Sequence, residues 1–331
     1  MEQVFFDIYQ KAKKDEISKE EALFILKAED KYIPLIVYLA SKLKDEFFDS
    51  TKFEFCSIIN AKSGACSEDC KFCAQSKFYK TPINIYKLVD KEELVEGALR
   101  GVEFGANRYC MVLSARAASD EEVEKLCEAV QEIKAQNIPI NVCVSAGTIG
   151  LESLLKLKEA GVTRINHNLE TSENYFPNIV STHTWRERLE TIKNVQKAGL
   201  STCSGAIFGL GETDEDRVDL AFVYKELGVD SIPLNFLMPI PNTPLENNKP
   251  LRALDALKII AMFRFTNKSA ELRLCGGREQ TLGDFHGMAA FMTNALMAGG
   301  YLTRAGRDIK KDYKMLEDMN LERLTSEEVC K

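Results

Sequence analysis

The pattern of apolar and polar positions changes near residue 50. Before that point, apolar residues recur at helical spacing, and Ser18 with Glu21 forms a capping-box pattern ahead of an apolar segment at 22–26. Beyond residue 50, short apolar runs alternate with longer amphipathic segments. The pattern therefore predicts a short N-terminal helical cap at residues 1–50 and a main domain at residues 51–331.

The main domain has the pattern of a repeated strand–helix alternation. Asp90, Ser119 and Thr184 each stand three residues before an acid, which is the pattern of a capped helix start. Seven or eight repeats favour a parallel sheet closed into a (β/α)8 barrel, the TIM-type fold of the α/β class. A doubly wound open sheet is the alternative, but no dinucleotide-binding glycine pattern supports it. The apolar runs lie at 53–60, 107–113, 138–144, 162–169, 200–208, 229–236 and 270–276, with a weaker one near 298–302.

Polar and thiol side chains interrupt several predicted strands at alternate positions. Alternate residues of a barrel strand face the interior, where polar groups are costly unless something satisfies them. Each of these side chains taken alone is explained without a site, either as a buried thiol that behaves like a small apolar residue or as an amide that faces solvent at a strand end. Together, cysteines and an arginine from different strands predict a second metal site inside the barrel. The polar and thiol residues found at these alternate strand positions, of which only some are candidate ligands, are Cys110, Asn141, Cys143, Asn166, Asn168, Glu170, Cys203, Asn235, Glu271, Arg273 and Cys275.

A compact cysteine loop follows the first predicted strand. Cys66, Cys70 and Cys73 stand at C-x3-C-x2-C spacing, and the aromatic Phe72 directly precedes the last of them. Thiolates bind zinc and iron–sulfur clusters, which both usually take four protein ligands. Three thiols therefore indicate a cluster with one iron left open for chemistry. The C-x2-C pair taken alone is also typical of a zinc site or a redox dithiol.

Composition and charge limit the classes of partner. The formal net charge is −7 over 331 residues without a block of Lys or Arg, so nothing indicates a nucleic-acid surface. No apolar run approaches the roughly 20 residues that span a bilayer, and no signal peptide is recognisable. We therefore expect a cytoplasmic protein whose ten cysteines stay reduced and which binds neither nucleic acid nor membrane. Cys56, Cys127 and Cys330 receive no chemical role from the sequence.

The cysteine loop resembles the signature of the radical S-adenosylmethionine (SAM) superfamily, C-x3-C-x-aromatic-C. In that superfamily, SAM chelates the open iron of a [4Fe–4S] cluster and is cleaved to a 5′-deoxyadenosyl radical. Three further stretches narrow the resemblance to the biotin synthase family, because they are similar to its N-H-N-L-D-T-S, C-S-G-G-I-x-G-L-G-E-T and V-R-L-S-A-G-R-E-Q motifs. In this chain they are INHNLETS at 165–172, CSGAIFGLGET at 203–213 and LRLCGGREQ at 272–280.

The resemblance implies an activity, cofactors and partners. Biotin synthases are sulfurtransferases that insert sulfur into dethiobiotin: 5′-deoxyadenosyl radicals formed from SAM abstract the hydrogens, and an auxiliary [2Fe–2S] cluster supplies the sulfur. The resemblance also implies flavodoxin or ferredoxin as electron donor and a homodimer. The alternative enzyme is a sister radical SAM protein of the same barrel, similar to a hydrogenase maturase. The non-enzymatic alternative is a metal-binding or redox module whose cysteines hold zinc, and such a protein would be colourless.

Residue roles follow from the same resemblance. Cys66, Cys70 and Cys73 are expected to hold the [4Fe–4S] cluster. The positions similar to the auxiliary-cluster ligands are Cys110, Cys143, Cys203 and Arg273. The positions similar to SAM-contacting residues are Phe72, Asn168, Glu170, Arg188 and Ile207. The positions similar to those around the ureido ring of the substrate are Asn166, Asn168 and Asn235.

Three departures from the family pattern bear on these roles. Cys275 stands where the family usually has Ser, roughly 6–7 Å beyond Arg273 on the same strand face. It is a candidate fourth ligand, a ligand of a larger auxiliary cluster, or a bystander thiol. Glu170 replaces the usual Asp, which keeps the carboxylate but extends its reach by one methylene. Bulkier Val112 and Leu113 follow Cys110, close to where SAM packs in the family.

Overall fold

The computed structural model describes residues 1–325 and 328 of the chain. Cys330 and the end of the predicted main domain therefore lie outside the described residues. Three helices come first: α1 (Glu2–Lys13), α2 (Lys19–Leu26) and α3 (Ile33–Asp45). Ser18 and Glu21 form the predicted reciprocal cap at the start of α2.

A closed barrel with eight parallel strand positions forms the core of the fold, as the sequence predicts. Each strand pairs with the next around the ring, and β9 pairs with β1 to close it. Two short strands, β5 and β6, both pair with β7 and together occupy one interrupted strand position of the barrel. A tenth strand, β10, adds to β1 outside the ring. The strands are β1 (Lys52–Lys62), β2 (Arg108–Leu113), β3 (Asn141–Ser145), β4 (Arg164–Asn166), β5 (Ser201–Cys203), β6 (Ala206–Phe208), β7 (Ser231–Phe236), β8 (Glu271–Leu274), β9 (Ala295–Met297) and β10 (Glu322–Arg323).

Amphipathic helices surround the barrel and bury their apolar stripes against it. Asp90, Ser119 and Thr184 accept hydrogen bonds from the backbone N–H three residues on, as predicted for helix starts. No described helix is both long and apolar enough to cross a bilayer. The helices are α4 (Lys91–Glu103), α5 (Asp120–Ala135), α6 (Leu151–Ala160), α7 (Trp185–Lys197), α8 (Asp214–Leu227), α9 (Ala253–Thr266), α10 (Arg278–Leu282), α11 (His286–Met292) and α12 (Ile309–Asp318), with 3₁₀ turns at Asp30–Tyr32, Phe176–Asn178 and Gly283–Phe285.

The N-terminal helices share one apolar core with the barrel. Ile36 and Leu39 of α3 belong to the same buried cluster as Ile259 and Phe263 of α9. Helix α3 also packs on α11, and α2 packs on α8 and α9. The three helices therefore cover one side of the barrel without forming a core of their own.

Two strands differ from the sequence pattern, for reasons that lie in the backbone. The run at 200–208 is split at Ser204 and Gly205, where a Cβ on Gly205 would lie 2.2 Å from the carbonyl oxygen of Pro233. The last strand of the ring is Ala295–Met297, and it does not extend over 298–302 as predicted. Gly299 has a φ of +82°, a left-handed conformation that ends the strand and leads into a turn.

Candidate active site: a loop and a barrel interior around one cavity

One cavity of about 390 Å³ opens among the carboxyl-terminal ends of the strands. This is the end of a parallel barrel at which active sites are found. Every residue to which the sequence assigns a site role contributes to its wall. These residues are Cys66, Cys70, Phe72, Cys73, Cys110, Cys143, Asn166, Asn168, Glu170, Arg188, Cys203, Ile207, Asn235, Arg273 and Cys275.

The cysteine loop folds back on itself at the mouth of this cavity. The Cys66 N–H donates to the Gln75 carbonyl at 3.0 Å, and the Lys77 N–H donates to the Cys66 carbonyl at 2.9 Å. Burial raises the pKa of the Cys73 thiol to about 11, and burial also raises the pKa of Cys66 and Cys70. Without a cation these thiols stay protonated, whereas bound iron stabilises the thiolates. Three partly buried thiols in one closed loop fit a cluster with one iron left open.

A second group of thiols lies deeper in the barrel. Cys110 of β2 and Cys143 of β3 are direct neighbours across the ladder. Asn166 of β4 neighbours Cys203 of β5, and its Nδ2 donates to the Cys203 sulfur at 3.3 Å. Cys275, directly after β8, is fully buried. The fold thus brings the inward cysteines to one interior, and burial raises the pKa of Cys110, Cys143 and Cys275.

Sequence reasoning missed a fifth interior thiol. Cys56 of β1 lines the same cavity, and burial raises the pKa of its thiol to about 12. The available signal was strand alternation, since Cys56 and Glu54 share one face of β1. The sequence suggested only a packing role because the register of β1 against the other strands was not known.

Beneath the thiols, five buried charges form a layer across the barrel floor. Arg108 donates to Glu54 at 3.0 Å, and Arg164 donates to Glu271 at 3.2 Å. Arg273 Nη2 donates to Glu54 at 2.5 Å and also to Glu271. Burial alone would raise the pKa of Glu271, but Arg164 and Arg273 outweigh burial and hold that pKa well below its usual range. In turn, Glu271 and Glu54 outweigh burial and raise the pKa of Arg273, so its guanidinium stays charged.

Glu170 and Arg188, which both line the cavity, form an ion pair that is largely withdrawn from solvent. Arg188 Nη2 lies 3.2 Å from the Glu170 carboxylate, and Arg188 Nε donates to the Asn168 carbonyl at 2.6 Å. Burial raises the pKa of Glu170, against the opposing effect of Arg188. The Asn168 side chain accepts from the Gly205 N–H at 2.9 Å, which fixes it across the gap between β5 and β6.

The remaining predicted contacts have different local roles. Asn235 donates to the Ala206 carbonyl at 3.1 Å and accepts from the Gly276 N–H at 3.0 Å, so its amide bridges two neighbouring chain segments. Phe72 and Ile207 supply partly buried apolar surface. Glu68 and His183 also line the cavity, although sequence reasoning selected neither of them.

No three His, Cys, Asp or Glu side chains among the described residues converge as they would around a single metal ion. The ligands of a cluster bind different iron atoms, so their sulfurs stand farther apart than the ligands of one ion. The thiols that line the cavity agree with the donor chemistry of iron–sulfur clusters, which is dominated by thiolates.

Comparison with known proteins decides between the enzyme families. Residues 61–223 match the Radical SAM superfamily, and residues 233–322 match the Biotin and Thiamin Synthesis associated domain. A biotin synthase of Hydrogenobaculum sp. (strain Y04AAS1) is 98% identical over 331 residues, with 100% of each chain covered. A biotin synthase of Aquifex aeolicus (strain VF5) is 67% identical over 329 residues, with 99% of each chain covered.

The chain belongs to the biotin synthase family. The family, the enzyme class and the cofactors expected from the sequence are thereby confirmed: a radical SAM enzyme that inserts sulfur, with a [4Fe–4S] cluster, SAM and an auxiliary cluster. Membership of the biotin synthase family is favoured over the sister-enzyme alternative. A crystal structure of HydG, a maturase of the [FeFe]-hydrogenase, has a TM-score of 0.82 at 17% identity, covering 98% of this chain and 76% of that one. At that identity the likeness concerns the barrel fold alone.

Proposed function

We propose that this chain inserts sulfur into dethiobiotin inside the cavity described above. One observation carries the proposal: a single cavity joins the three loop thiols at its mouth to the inward thiols of the barrel. When bound, SAM and the clusters supply the radical chemistry and the sulfur. The protein residues bind these groups, orient them and keep water away.

At the cavity mouth, Cys66, Cys70 and Cys73 hold the [4Fe–4S] cluster in this proposal. Phe72 and Ile207 would supply apolar surface for the adenine of SAM. The Glu170 carboxylate, which Arg188 holds from 3.2 Å away, would accept a hydrogen bond from the ribose. Asn168 completes this side because its amide is already oriented by the Gly205 N–H.

The substrate position lies between the two groups of thiols. A cyclic urea is neutral and offers both donors and an acceptor, and an amide side chain complements both. Asn166 and Asn235 line the cavity, and each amide keeps hydrogen-bonding capacity beyond its protein contacts. We propose that these two residues and Asn168 orient the ureido ring.

The auxiliary cluster is assigned to Cys110, Cys143, Cys203 and a fourth ligand. Arg273 is one candidate: its Nη2 is committed to Glu54 and Glu271, but its buried Nε and Nη1 have no hydrogen-bond partner among the described residues. Cys275 is the other, since its thiol is fully buried and lines the same cavity. A protonated guanidinium has no lone pair to offer a metal, so Arg273 would have to give up a proton in order to bind iron.

Iron and sulfide analysis with Mössbauer spectra on anaerobically purified protein tests the assignment. About six irons per chain in two cluster types, unchanged in Cys275→Ala and reduced in Arg273→Ala, supports a [2Fe–2S] cluster with an arginine ligand. About eight irons, falling in Cys275→Ala, supports a larger cluster. About four irons, all lost with the loop cysteines, would contradict the barrel site. Cys127→Ala, on helix α5, is the matched control for loss of a thiol.

An acidic one-electron carrier of the flavodoxin or ferredoxin type is the proposed reductant. Lys71, Lys77 and Lys80 are exposed on the outer face of the cysteine loop. The two acids of the same segment are withdrawn from this surface: Glu68 is buried, and Asp69 accepts from the Ser181 N–H at 2.9 Å. A positive surface directly over the cluster loop complements an acidic carrier, despite the net charge of −7.

Charge reversal tests this surface. In the double variant Lys71→Glu, Lys77→Glu, SAM cleavage driven by reduced flavodoxin should fall severalfold at low ionic strength and lose its salt dependence. Cleavage driven by dithionite should stay unchanged, which shows that the cluster itself is intact. Equal losses with both reductants would contradict the docking role. Lys156→Glu, on helix α6, is the matched control.

Three further expectations stay predictions. The division into an N-terminal cap at 1–50 and a main domain at 51–331 is tested by expressing residues 51–331 alone. The homodimer is tested by sedimentation of the anaerobic holoenzyme. The cytoplasmic location is tested by cell fractionation.

A further inference from the structure

We propose that His183 is a positioning residue that couples the cysteine loop to the SAM-binding carboxylate, and this inference rests on the function proposed above. Its Nδ1 lies 2.5 Å from the carboxylate of Glu68, which stands inside the cysteine loop. Its Nε2 lies 3.0 Å from Nη1 of Arg188, which in turn holds Glu170. The imidazole thus joins the two sides of the cavity mouth.

The hydrogen-bond chemistry fixes the protonation of the imidazole. Arg188 is a donor with no acceptor, so the Nε2 that faces it must accept. The ring proton then sits on Nδ1 and is donated to Glu68. Burial and Arg188 lower the pKa of His183, although Glu68 opposes them, which agrees with a neutral ring. A neutral imidazole of this tautomer is suited to linking an anion to a cation in one line.

Other contacts anchor Glu68 but do not reach Arg188. Thr182 Oγ1 donates to its carboxylate at 2.7 Å, and Ser67 Oγ donates at 3.0 Å. The edge of the Phe176 ring packs against the imidazole at a centroid distance of 5.5 Å. His183 is therefore held in place by its neighbours. Of the residues that contact the Glu68 carboxylate here, it is the one that also contacts Arg188.

The consequence is a fixed geometry between the open iron and the cofactor. The line of contacts runs from the loop through Glu68, His183 and Arg188 to Glu170 and the Asn168 carbonyl. SAM must contact both the iron of the loop cluster and the Glu170 side, and a productive arrangement tolerates shifts of only about 0.5 Å. If the imidazole is not held in place, the cysteine loop and the Arg188–Glu170 pair are both still present but no longer aligned with each other.

Two substitutions separate the two arms of the imidazole. In His183→Asn, the amide occupies the Nδ1 position and can still donate to Glu68, but nothing reaches Arg188. In His183→Gln, the amide oxygen occupies the Nε2 position and can still accept from Arg188, but the Glu68 arm is lost. A merely space-filling role would be kept by at least one of these variants, whereas coupling needs both arms.

The test uses anaerobic holoenzyme, dithionite as reductant and the reduced-cluster EPR spectrum with and without SAM. We expect both variants to keep wild-type iron content and the EPR signal without SAM. SAM should bind about tenfold more weakly, the size of one lost hydrogen bond to a charged group. The change that SAM causes in the spectrum should be diminished. The control Ser181→Ala, which removes only a contact to Asp69, should match wild type.

Two results would overturn the inference. One is wild-type SAM affinity with an unchanged SAM-dependent spectrum in both variants. The other is loss of iron from both variants, which would assign His183 to cluster assembly. If either variant fails to fold, Glu68→Ala cuts the same line from the loop side and must show the same SAM defect. Failure of the proposed function would instead appear as absence of SAM cleavage and biotin formation in the wild type.

Discussion

The loop thiols and the barrel thiols line the same cavity but are assembled in opposite ways. Cys66, Cys70 and Cys73 are brought together by local spacing, and the hydrogen bonds that close their loop run within residues 66–77. Cys110, Cys143 and Cys203 come from β2, β3 and β5, and only the pairing and register of these strands bring them to one barrel interior. The first group is a motif, whereas the second is a property of the fold.

The two groups also differ in electrostatic surroundings. The loop lies beside one buried ion pair, Arg188 with Glu170, and an outer face that carries lysines. The barrel thiols lie above three arginines and two glutamates that are nearly fully withdrawn from water. Breaking such a buried network is expensive because it leaves an unpaired charge in a low-dielectric interior. The comparison predicts that substitutions in the loop mainly reduce SAM cleavage, whereas substitutions in the charged floor mainly reduce the free energy of unfolding.

The largest expected effect comes from the loop. Cys70→Ser should remove the SAM-binding cluster and reduce SAM cleavage to background, while the auxiliary cluster remains, because the two sites share no ligand. Mössbauer spectra and product analysis on anaerobic protein measure both consequences. Retention of SAM cleavage would break the distinction between the two groups, and Cys127→Ser should leave both clusters in place.

The second effect should be selective for the barrel. In Cys143→Ser, biotin formation should fall to background, whereas SAM cleavage should keep most of its rate because the loop is untouched. Parallel assays of 5′-deoxyadenosine and biotin make the comparison. Loss of both products together would mean that the barrel thiols also support the loop, and the two groups would have to be treated as one.

The third effect concerns stability. Glu54→Gln removes a carboxylate that pairs with both Arg108 and Arg273, so the free energy of unfolding should fall by about 3–5 kcal/mol. Denaturant unfolding of the anaerobic protein measures it. Glu152→Gln removes a surface partner of Lys156 and should change stability by no more than about 0.5 kcal/mol. Equal effects would contradict the buried-network account.

The fourth effect is a pH dependence on the barrel floor. Glu271 has a depressed pKa in the folded state, so its stabilising effect is present above the unfolded value of about 4.3 and is lost as pH falls below it. Acid titration of stability should therefore be less steep in Glu271→Gln, by up to about 1.4 kcal/mol per pH unit. Identical slopes in the variant and the wild type would show that this carboxyl does not change protonation on unfolding.

The smallest expected effect is at the SAM side. Glu170→Asp restores the residue usual in the family at a position whose φ is +68°, a conformation that Asp tolerates better than Glu. SAM affinity should change by less than about threefold, because the carboxylate is kept and Arg188 can still approach it. Equilibrium dialysis with SAM measures this. A tenfold loss would indicate that the longer side chain of Glu170 is required.

Much of this arrangement can be predicted from the sequence because the patterns that specify it are local or periodic. Strand alternation selected Asn166, Asn168 and Glu170 as inward residues, and all three line the cavity. The same reasoning gave Arg273 but not its partner Glu54, which lies on β1 at the other side of the ring closure. Glu68 was visible only as a residue of the cysteine loop, and its contact with His183 spans 115 positions of sequence.

The sequence alone determined the cysteine loop, the (β/α)8 barrel and the enzyme family, because spacing, hydrophobic period and motif order are properties of a linear chain. Only the tertiary structure decided which buried groups face each other: the five-charge floor, the fifth thiol Cys56 and the line from Glu68 through His183 to Arg188. Their positions depend on strand register and on the closure of β9 against β1. A one-residue change of register would reverse every inward side chain. Alternation along one strand identifies its inward positions but not which residues of other strands they face.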